Sequence, residues 1–166
     1  MRKFFVPVWI ALFALIGAAQ AADQPAFDLA QMTLIVEAEE GLSGEDIDES
    51  IKSLAATEGI FYVFFAPIYK QIEAVTGTPY RHLSVHMLCD VTAAAKMVDY
   101  NPLLATMMPC RIAVVQDKDT GKLFLYTTNP DIFTMDPNMP ESLRPVAQKV
   151  ADQLKAIIHG AAAGEF

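Results

Sequence analysis

Two amphipathic helical patterns, one in the first half of the chain and one at its C-terminal end, enclose a run of strand-like segments. The first stripe is formed by Ile47, Ile51, Leu54 and Ala55, and the second by Leu143, Val146, Ala147, Val150, Leu154, Ile157 and Ile158. Ser43 stands where the first helix should begin, and Asp46 follows three residues later, which is typical of an N-terminal cap. The order strand, helix, several strands, helix indicates an α+β domain, in which a single, mostly antiparallel sheet carries two main helices on one face.

The strand-like segments suggest how that sheet is built. Residues 60–66 are almost wholly aromatic and β-branched, so we predict a buried strand there. Further strands are expected at 32–39, 80–88, 110–116 and 122–127, with a hairpin at Asp-Lys-Asp-Thr-Gly between the last two and shorter helices at 69–75 and 91–98. The sheet face that the main helices leave open is rich in aromatic residues. A homodimer or higher homo-oligomer is the simplest way to cover it.

The N-terminus has the three parts of a cleavable secretory signal peptide. Arg2 and Lys3 give a positive start, an apolar run continues to about Ile16, and the small residues Ala19 and Ala21 fit the rule for cleavage after Ala21. The apolar run is shorter than the roughly 20 residues that a spanning helix needs, so we expect cleavage rather than an anchor. The predicted organisation is a signal peptide at 1–21, a flexible leader at 22–31, one domain at 32–160 and a loose C-terminus at 161–166.

The acidic charge balance limits the classes of partner. Twelve basic and twenty acidic residues give a net charge of −8, and cleavage after Ala21 would remove two of the basic residues. Such a domain is a poor candidate for nucleic acid, because phosphate binding depends on neutralisation by Lys and Arg. No second apolar run is long enough to span a membrane, so we expect a mature form that is not membrane-embedded. The absence of G-x-S-x-G, H-E-x-x-H and phosphate-loop motifs favours a binding protein over an enzyme.

Two cysteines, Cys89 and Cys110, leave three interpretations open. They can be buried free thiols that pack as small hydrophobic residues, one structural disulfide in an oxidising compartment, or a redox-active pair. Cys89 directly precedes a predicted helix, and a helix N-terminus favours thiol reactivity. One pair is not a disulfide framework for a domain of this size, so the core must supply most of the stability.

The densest group of donor side chains lies at residues 82–89. On a strand, His82 and His86 point to one face, and Met87 and Cys89 point to the other. The Cα atoms of the two histidines would lie roughly 13 Å apart, four steps along the strand. That separation is too large for both to bind one ion without a bulge, so one histidine with donors from another segment is the more realistic site.

Soft donors continue at the start of the next strand, where Met108 and Cys110 lie. Imidazole combined with sulfur suits copper or haem iron better than Ca²⁺ or Mg²⁺, and without a C-x-x-C-H motif a haem would be noncovalent. The candidate cofactor ligands are His86, Cys89, Met87 and Met108, and the candidate metal ligands are His82, His86 and Cys110. The alternative interpretation is that the histidines are ordinary half-buried strand residues and the methionines fill the core.

A family pattern spans residues 80–133. Cys89 is followed, twenty-one residues later, by Cys110 in a Met-Met-Pro-Cys-Arg-Ile-Ala-Val run, and then by the hairpin and the turn at Asn129 and Pro130. In these features the chain resembles the domain of unknown function 302 family, although it has Cys-Asp-Val where the family has Cys-Asn-Pro. The resemblance implies a β-α-β(n)-α domain, similar to the TATA-binding-protein-like arrangement, that tends to dimerise and lies in a bacterial periplasm. It implies no established activity.

Three functions follow from these observations, in this order. The first is an exported small binding protein that holds haem or a soft metal such as copper through His86, with Cys89, Met87 or Met108 nearby. The second is a thiol redox or sulfur-handling protein that uses Cys89 and Cys110. The third is a cofactor-free interaction domain.

Overall fold

A computed structural model describes residues 28–166, and the predicted signal peptide with most of the predicted leader lies outside the described residues. Five strands form one antiparallel sheet in the spatial order β1-β5-β4-β3-β2. The strands are β1 (Thr33–Glu37), β2 (Phe61–Ala66), β3 (Leu83–Cys89), β4 (Cys110–Gln116) and β5 (Leu123–Thr128). The helices are α1 (Gly44–Thr57), α2 (Ile68–Thr76), α3 (Val91–Tyr100) and α4 (Arg144–Ala162). The predicted α+β class and its antiparallel sheet are confirmed.

Helix α1 begins where the sequence predicts. The hydroxyl of Ser43 accepts a hydrogen bond from the backbone N–H of Asp46 at 3.1 Å, and the Asp46 carboxylate accepts one from the backbone N–H of Ser43 at 3.0 Å. Two backbone donors that have no partner within the helix are satisfied in this way. The chain leaves the helix through Gly59, whose φ of +68° is readily adopted only by glycine.

Helices α1 and α4 cover one face of the sheet and contact each other along their length. We call this side of the sheet the covered face. Its fully buried aliphatic residues are Ile47, Ile51, Leu88, Ile112, Val114, Leu125, Ile157 and Ile158. Burial of each such side chain contributes about 1.5–3 kcal/mol relative to exposure, so this single core supplies most of the favourable free energy of folding.

Strand β2 is an edge strand and not the buried strand that its composition predicts. Within the described residues it pairs with β3 alone, and Phe61, Val63 and Phe64 are 66%, 51% and 55% exposed. The pairing register shifts between Tyr62 and Phe64, so that Val63 is an extra residue at a bulge. An aromatic and β-branched composition predicts a strand correctly, but it does not say whether both faces of that strand are covered.

The C-terminal residues 161–166, expected to be loose, are held against α1. Helix α4 continues to Ala162, and the backbone N–H of Glu165 then donates to the carbonyl of Gly160 at 2.9 Å. The hydroxyl of Ser50, which is buried in α1, donates to the carbonyl of Glu165. Within residues 28–166, no helix is both long and apolar enough to cross a membrane.

Candidate functional site

The covered face encloses a group of polar side chains around Asp48 of α1. The polar cluster, as we call it, consists of Asp48, Tyr62, His82, Ser84 and His86. Alternation along β3 places Ser84 and His86 on the covered face, and His82, which directly precedes the strand, contacts Ser84 and Asp48 on the same side, as the sequence predicts for the two histidines. Ser84 and His86 are fully inaccessible to solvent, so every polar atom they carry needs a partner inside the protein.

The carboxylate of Asp48 is the common partner within the polar cluster. Its Oδ1 accepts a hydrogen bond from the Ser84 hydroxyl at 2.6 Å and one from Nε2 of His86 at 2.8 Å. Its Oδ2 lies 3.3 Å from Nε2 of His82. One carboxylate therefore contacts two histidines that are four residues apart in the sequence, and the ring nitrogens of both also lie within 3.4 Å of the Ser84 hydroxyl.

Two tyrosines complete the surroundings of the histidines. The hydroxyl of Tyr62 lies 2.7 Å from Nδ1 of His86, and in a neutral imidazole that donates through Nε2 this nitrogen accepts the tyrosine proton. The ring of Tyr69 packs on His82 with centroids 4.8 Å apart, and its hydroxyl donates to Oε1 of Glu45 at 3.0 Å. The polar cluster therefore connects α1 to β2, β3 and α2.

The pKa of Asp48 reflects two opposing causes. Burial raises the pKa of this carboxyl, but hydrogen bonds from His82, His86 and Ser84 outweigh burial and lower the pKa to about 2. Burial raises the pKa of Tyr62 to about 12, and the negative charge of Asp48 acts in the same direction. At neutral pH the aspartate is thus an ionised acceptor, and Tyr62 keeps its proton.

This geometry differs from that of an activated nucleophile. In a serine triad the hydroxyl donates to a histidine, which in turn donates to the carboxylate. Here Ser84 and His86 both donate to the same oxygen of Asp48, and neither side chain is exposed to solvent. The polar cluster therefore connects α1 to β3, and the Ser84 hydroxyl is buried and committed to the Asp48 carboxylate instead of being presented to a substrate.

Gly44 makes room for the polar cluster at the first turn of α1. A Cβ atom at this position would lie 2.3 Å from the His82 ring, far closer than any real contact. The helix therefore needs glycine here because His82 packs directly against its backbone.

Sequence reasoning missed Asp48, although a signal was present. Asp48 lies three residues before Ile51 and seven before Ala55, so it shares the apolar stripe of α1. A carboxylate on the buried stripe requires polar partners, and the segment from His82 to His86 offers three of them on one side. Glu45, in the first turn of α1, accepts the hydrogen bond from Tyr69.

The structure separates the predicted cofactor and metal ligands into three places. His82 and His86 lie in the polar cluster, and Met87 lies on the opposite face of the sheet. Cys89, Cys110 and Met108 line a separate narrow cleft beside α3 and α4. In the part of the chain that the structure describes, no group of three or more His, Cys, Asp and Glu side chains is arranged to hold a metal ion.

Both cysteines are free thiols in this structure. Burial raises the pKa of Cys110 to about 11, and the charge of a Cys89 thiolate would raise it further. Burial and then the charge of Asp90 raise the pKa of Cys89, against the expectation from its place before α3. The thiolate is the reactive form, and a raised pKa leaves little thiolate at neutral pH. Both cysteines are therefore expected to react poorly as nucleophiles.

The other side of the sheet is apolar, and we call it the open face. Strand alternation and register assign to it Ile35, Phe61, Phe64, Val85, Met87, Ala113, Val115, Phe124 and Tyr126. Of the strand residues on this face, Glu37 and Arg111 alone are charged, and Glu37 forms an ion pair with Lys122. Ile35 on the edge strand β1, and Phe61 and Phe64 on the opposite edge strand β2, are each close to half exposed or more, so large apolar side chains are exposed at both edges of this face.

A single antiparallel sheet with helices on one face defines this protein as a small one-sheet α+β domain. The chain belongs to the family described as Domain of unknown function DUF302, whose sequence pattern matches residues 35–161. A similar solved structure is that of an uncharacterized conserved DUF302 protein from Bacillus stearothermophilus, with a TM-score of 0.62. It is 17% identical in sequence, and the match covers 77% of this chain and 96% of that one, so it supports the fold alone. No curated protein matches the sequence at a significant level.

Proposed function

We propose that this protein is an interaction domain that binds through the open face of its sheet, and that its partner there is a second copy of the chain. One observation carries the proposal: large apolar side chains, among them Phe61 and Phe64, lie exposed on a single continuous surface. Removing apolar area from water contributes about 25 cal/mol per Å², which favours covering such a surface.

The size of the open face is compatible with a dimer. Five strands spaced about 4.8 Å apart and about 20 Å long give a flat area of about 480 Å² per copy. Protruding side chains increase the accessible area above this value. Two copies therefore approach the roughly 1,200 Å² at the lower limit of specific, stable interfaces.

The low charge of the open face permits a second copy as the partner. The chain has a net charge of −8, so two copies repel each other over most of their surface. The open face is nearly neutral, because Lys122 offsets the charge of Glu37 and Arg111 is the other charged strand residue. In a two-fold dimer the same apolar surface is present on both copies, so the open face of each copy covers the open face of the other and no further partner is needed.

The geometry favours this function over the other two that the sequence suggests. Binding of haem or copper through His86 would break its hydrogen bonds to Asp48 and Tyr62 inside the core. A thiol redox function is disfavoured because the pKa of Cys110 is raised to about 11 and that of Cys89 is raised as well. Association through the open face breaks none of the hydrogen bonds of the core.

The test is to place a charge at the centre of the exposed strand. Sedimentation of the purified protein over a range of concentrations should show a dimer, and Phe64→Lys should convert it to a monomer. Val75→Lys is the matched control, because Val75 is 87% exposed on α2, away from the open face. This control should remain dimeric.

Two results would overturn the proposal. One is a parent protein that stays monomeric at the highest soluble concentration. The other is that the Phe64→Lys and Val75→Lys variants both associate as strongly as the parent protein. Unfolding curves of both variants check that the fold is intact, since surface substitutions of this kind change stability by about 0.5 kcal/mol or less.

A further inference from the structure

A narrow cleft beside α3 and α4 is lined by four sulfur-containing residues. They are Cys89 at the end of β3, Cys110 at the start of β4, Met97 of α3 and Met108. The other residues that enclose it are apolar apart from Asp90, and its volume is about 30 Å³. A cleft of this volume has room for a particle about the size of a water molecule.

We propose that this sulfur-lined cleft binds a single soft monovalent cation of the Cu(I) type, held by the thiolates of Cys89 and Cys110 and the thioether of Met108. Thiolate and thioether are the ligands that select Cu(I) over harder cations. The proposed site contains no histidine, so it differs from a site built on His86, and it leaves the polar cluster intact.

Both cysteines line the same cleft at the ends of neighbouring strands. Leu88 pairs with Cys110 across β3 and β4, so Cys89 is one residue beyond the direct partner of Cys110. Strand alternation alone would place the two cysteines on opposite faces, but β3 ends at Cys89 and β4 begins at Cys110, and both residues border the cleft there. Met108 enters the same cleft two residues before Cys110, and Met97 closes it from α3, where it is almost completely buried.

The charge and proton balance of the site can be written explicitly. Two S–H bonds break and two Cu–S bonds form, so two protons leave for each cation that binds and the complex has a charge of −1. The N-terminus of α3, which begins at Val91, adjoins Cys89 and favours negative charge. Lys149 lies at the same place, where its Nζ donates to Asp90 at 2.9 Å and offsets the negative charge of that carboxylate beside the cleft.

The experiment uses Cu(I) alone, delivered without oxygen to the reduced protein, in competition with a coloured Cu(I) chelator. We expect the protein to withdraw one Cu(I) per chain. Cys89→Ser and Cys110→Ser should each weaken Cu(I) binding by about 100-fold. Loss of a side chain that only orients a metal ligand weakens metal binding by roughly 10- to 100-fold, and loss of a ligand itself should weaken it at least as much. Met108→Leu should weaken it by about 10-fold. Met135→Leu is the control and should bind as the parent does, because Met135 is exposed and outside the cleft.

X-ray absorption of the unaltered protein loaded with Cu(I) provides a test that does not depend on the folding of any variant. Only sulfur neighbours around copper would support the site, and nitrogen or oxygen neighbours would overturn it. Failure to withdraw Cu(I) from the chelator, or binding by both serine variants that is as strong as that of the parent, would overturn it as well. The Phe64→Lys monomer should still bind Cu(I), so this inference and the proposed dimer can fail separately.

Discussion

The two faces of the sheet reverse the usual distribution of polar and apolar side chains. The covered face contains a buried carboxylate, two histidines and a serine, whereas the open face presents phenylalanine, isoleucine and valine to solvent. On the covered face each of these polar groups has a partner within the protein. On the open face the exposed apolar side chains are not covered by any other part of the described chain. Contact with another molecule would remove them from water, which is favourable.

The difference indicates that the two faces serve separate purposes. A buried ionised group gives little net stability compared with a well-packed apolar one, but its loss leaves its partners unpaired. The polar cluster therefore specifies one position of α1 over β3, while the aliphatic core beside it supplies the stability. The open face contributes little to the folded monomer and is available for association.

The largest effect is expected from removal of the buried carboxylate. Asp48→Ala should destabilise the protein by about 3–5 kcal/mol, because the partners of the carboxylate stay buried without an acceptor. Urea unfolding measures this value. Glu49→Ala is the matched control, one position along the same helix and facing solvent, and it should cost less than about 1 kcal/mol. A loss for Asp48→Ala no larger than that of the control would show that the polar cluster does not hold α1.

Phe64 and Phe65 allow a direct comparison of the two faces, because they are consecutive on β2 and point to opposite sides. Phe65 packs on the His86 ring with centroids 5.0 Å apart, so Phe65→Ala should cost about 2–3 kcal/mol. Phe64→Ala should cost less than about 1 kcal/mol when the protein is dilute enough to be monomeric. It should instead weaken association, which sedimentation measures. Equal losses of unfolding free energy would contradict the assignment of separate roles to the two faces.

Local patterns predicted the secondary structure well because the signals are local. The caps at Ser43 and Asp90 depend on side chains that bond backbone groups two or three residues away, and both are present. The hairpin at 117–121 depends on a glycine with φ of +74° at Gly121. The order of these elements was sufficient to predict the α+β class and the helix-covered sheet.

The polar cluster was only half predicted because it depends on contacts between distant segments. Alternation on β3 placed His82 and His86 on one face, but their partner Asp48 lies 38 positions before His86 and on another element. Without that partner the histidines looked like metal ligands. The edge position of β2 was missed for a similar reason, since strand order is a property of the whole sheet and composition does not encode it.

The smallest predicted effect concerns the pH dependence of the covered face. The folded pKa of Asp48 is about 2, below its ordinary value of 3.8, so the ionised carboxylate stabilises the folded state above pH 3.8. This stabilisation should fall as the pH drops from 3.8 towards 2, and it should be lost below that. A depression of this size corresponds to about 2 kcal/mol.

Asp48→Asn isolates this contribution, because asparagine keeps the side-chain shape and does not ionise. Urea unfolding of both proteins between neutral pH and pH 2 should give curves that converge on acidification, with the parent losing about 2 kcal/mol more than the variant. Parallel curves for the parent and Asp48→Asn would show that the polar cluster does not hold the carboxylate in its ionised form.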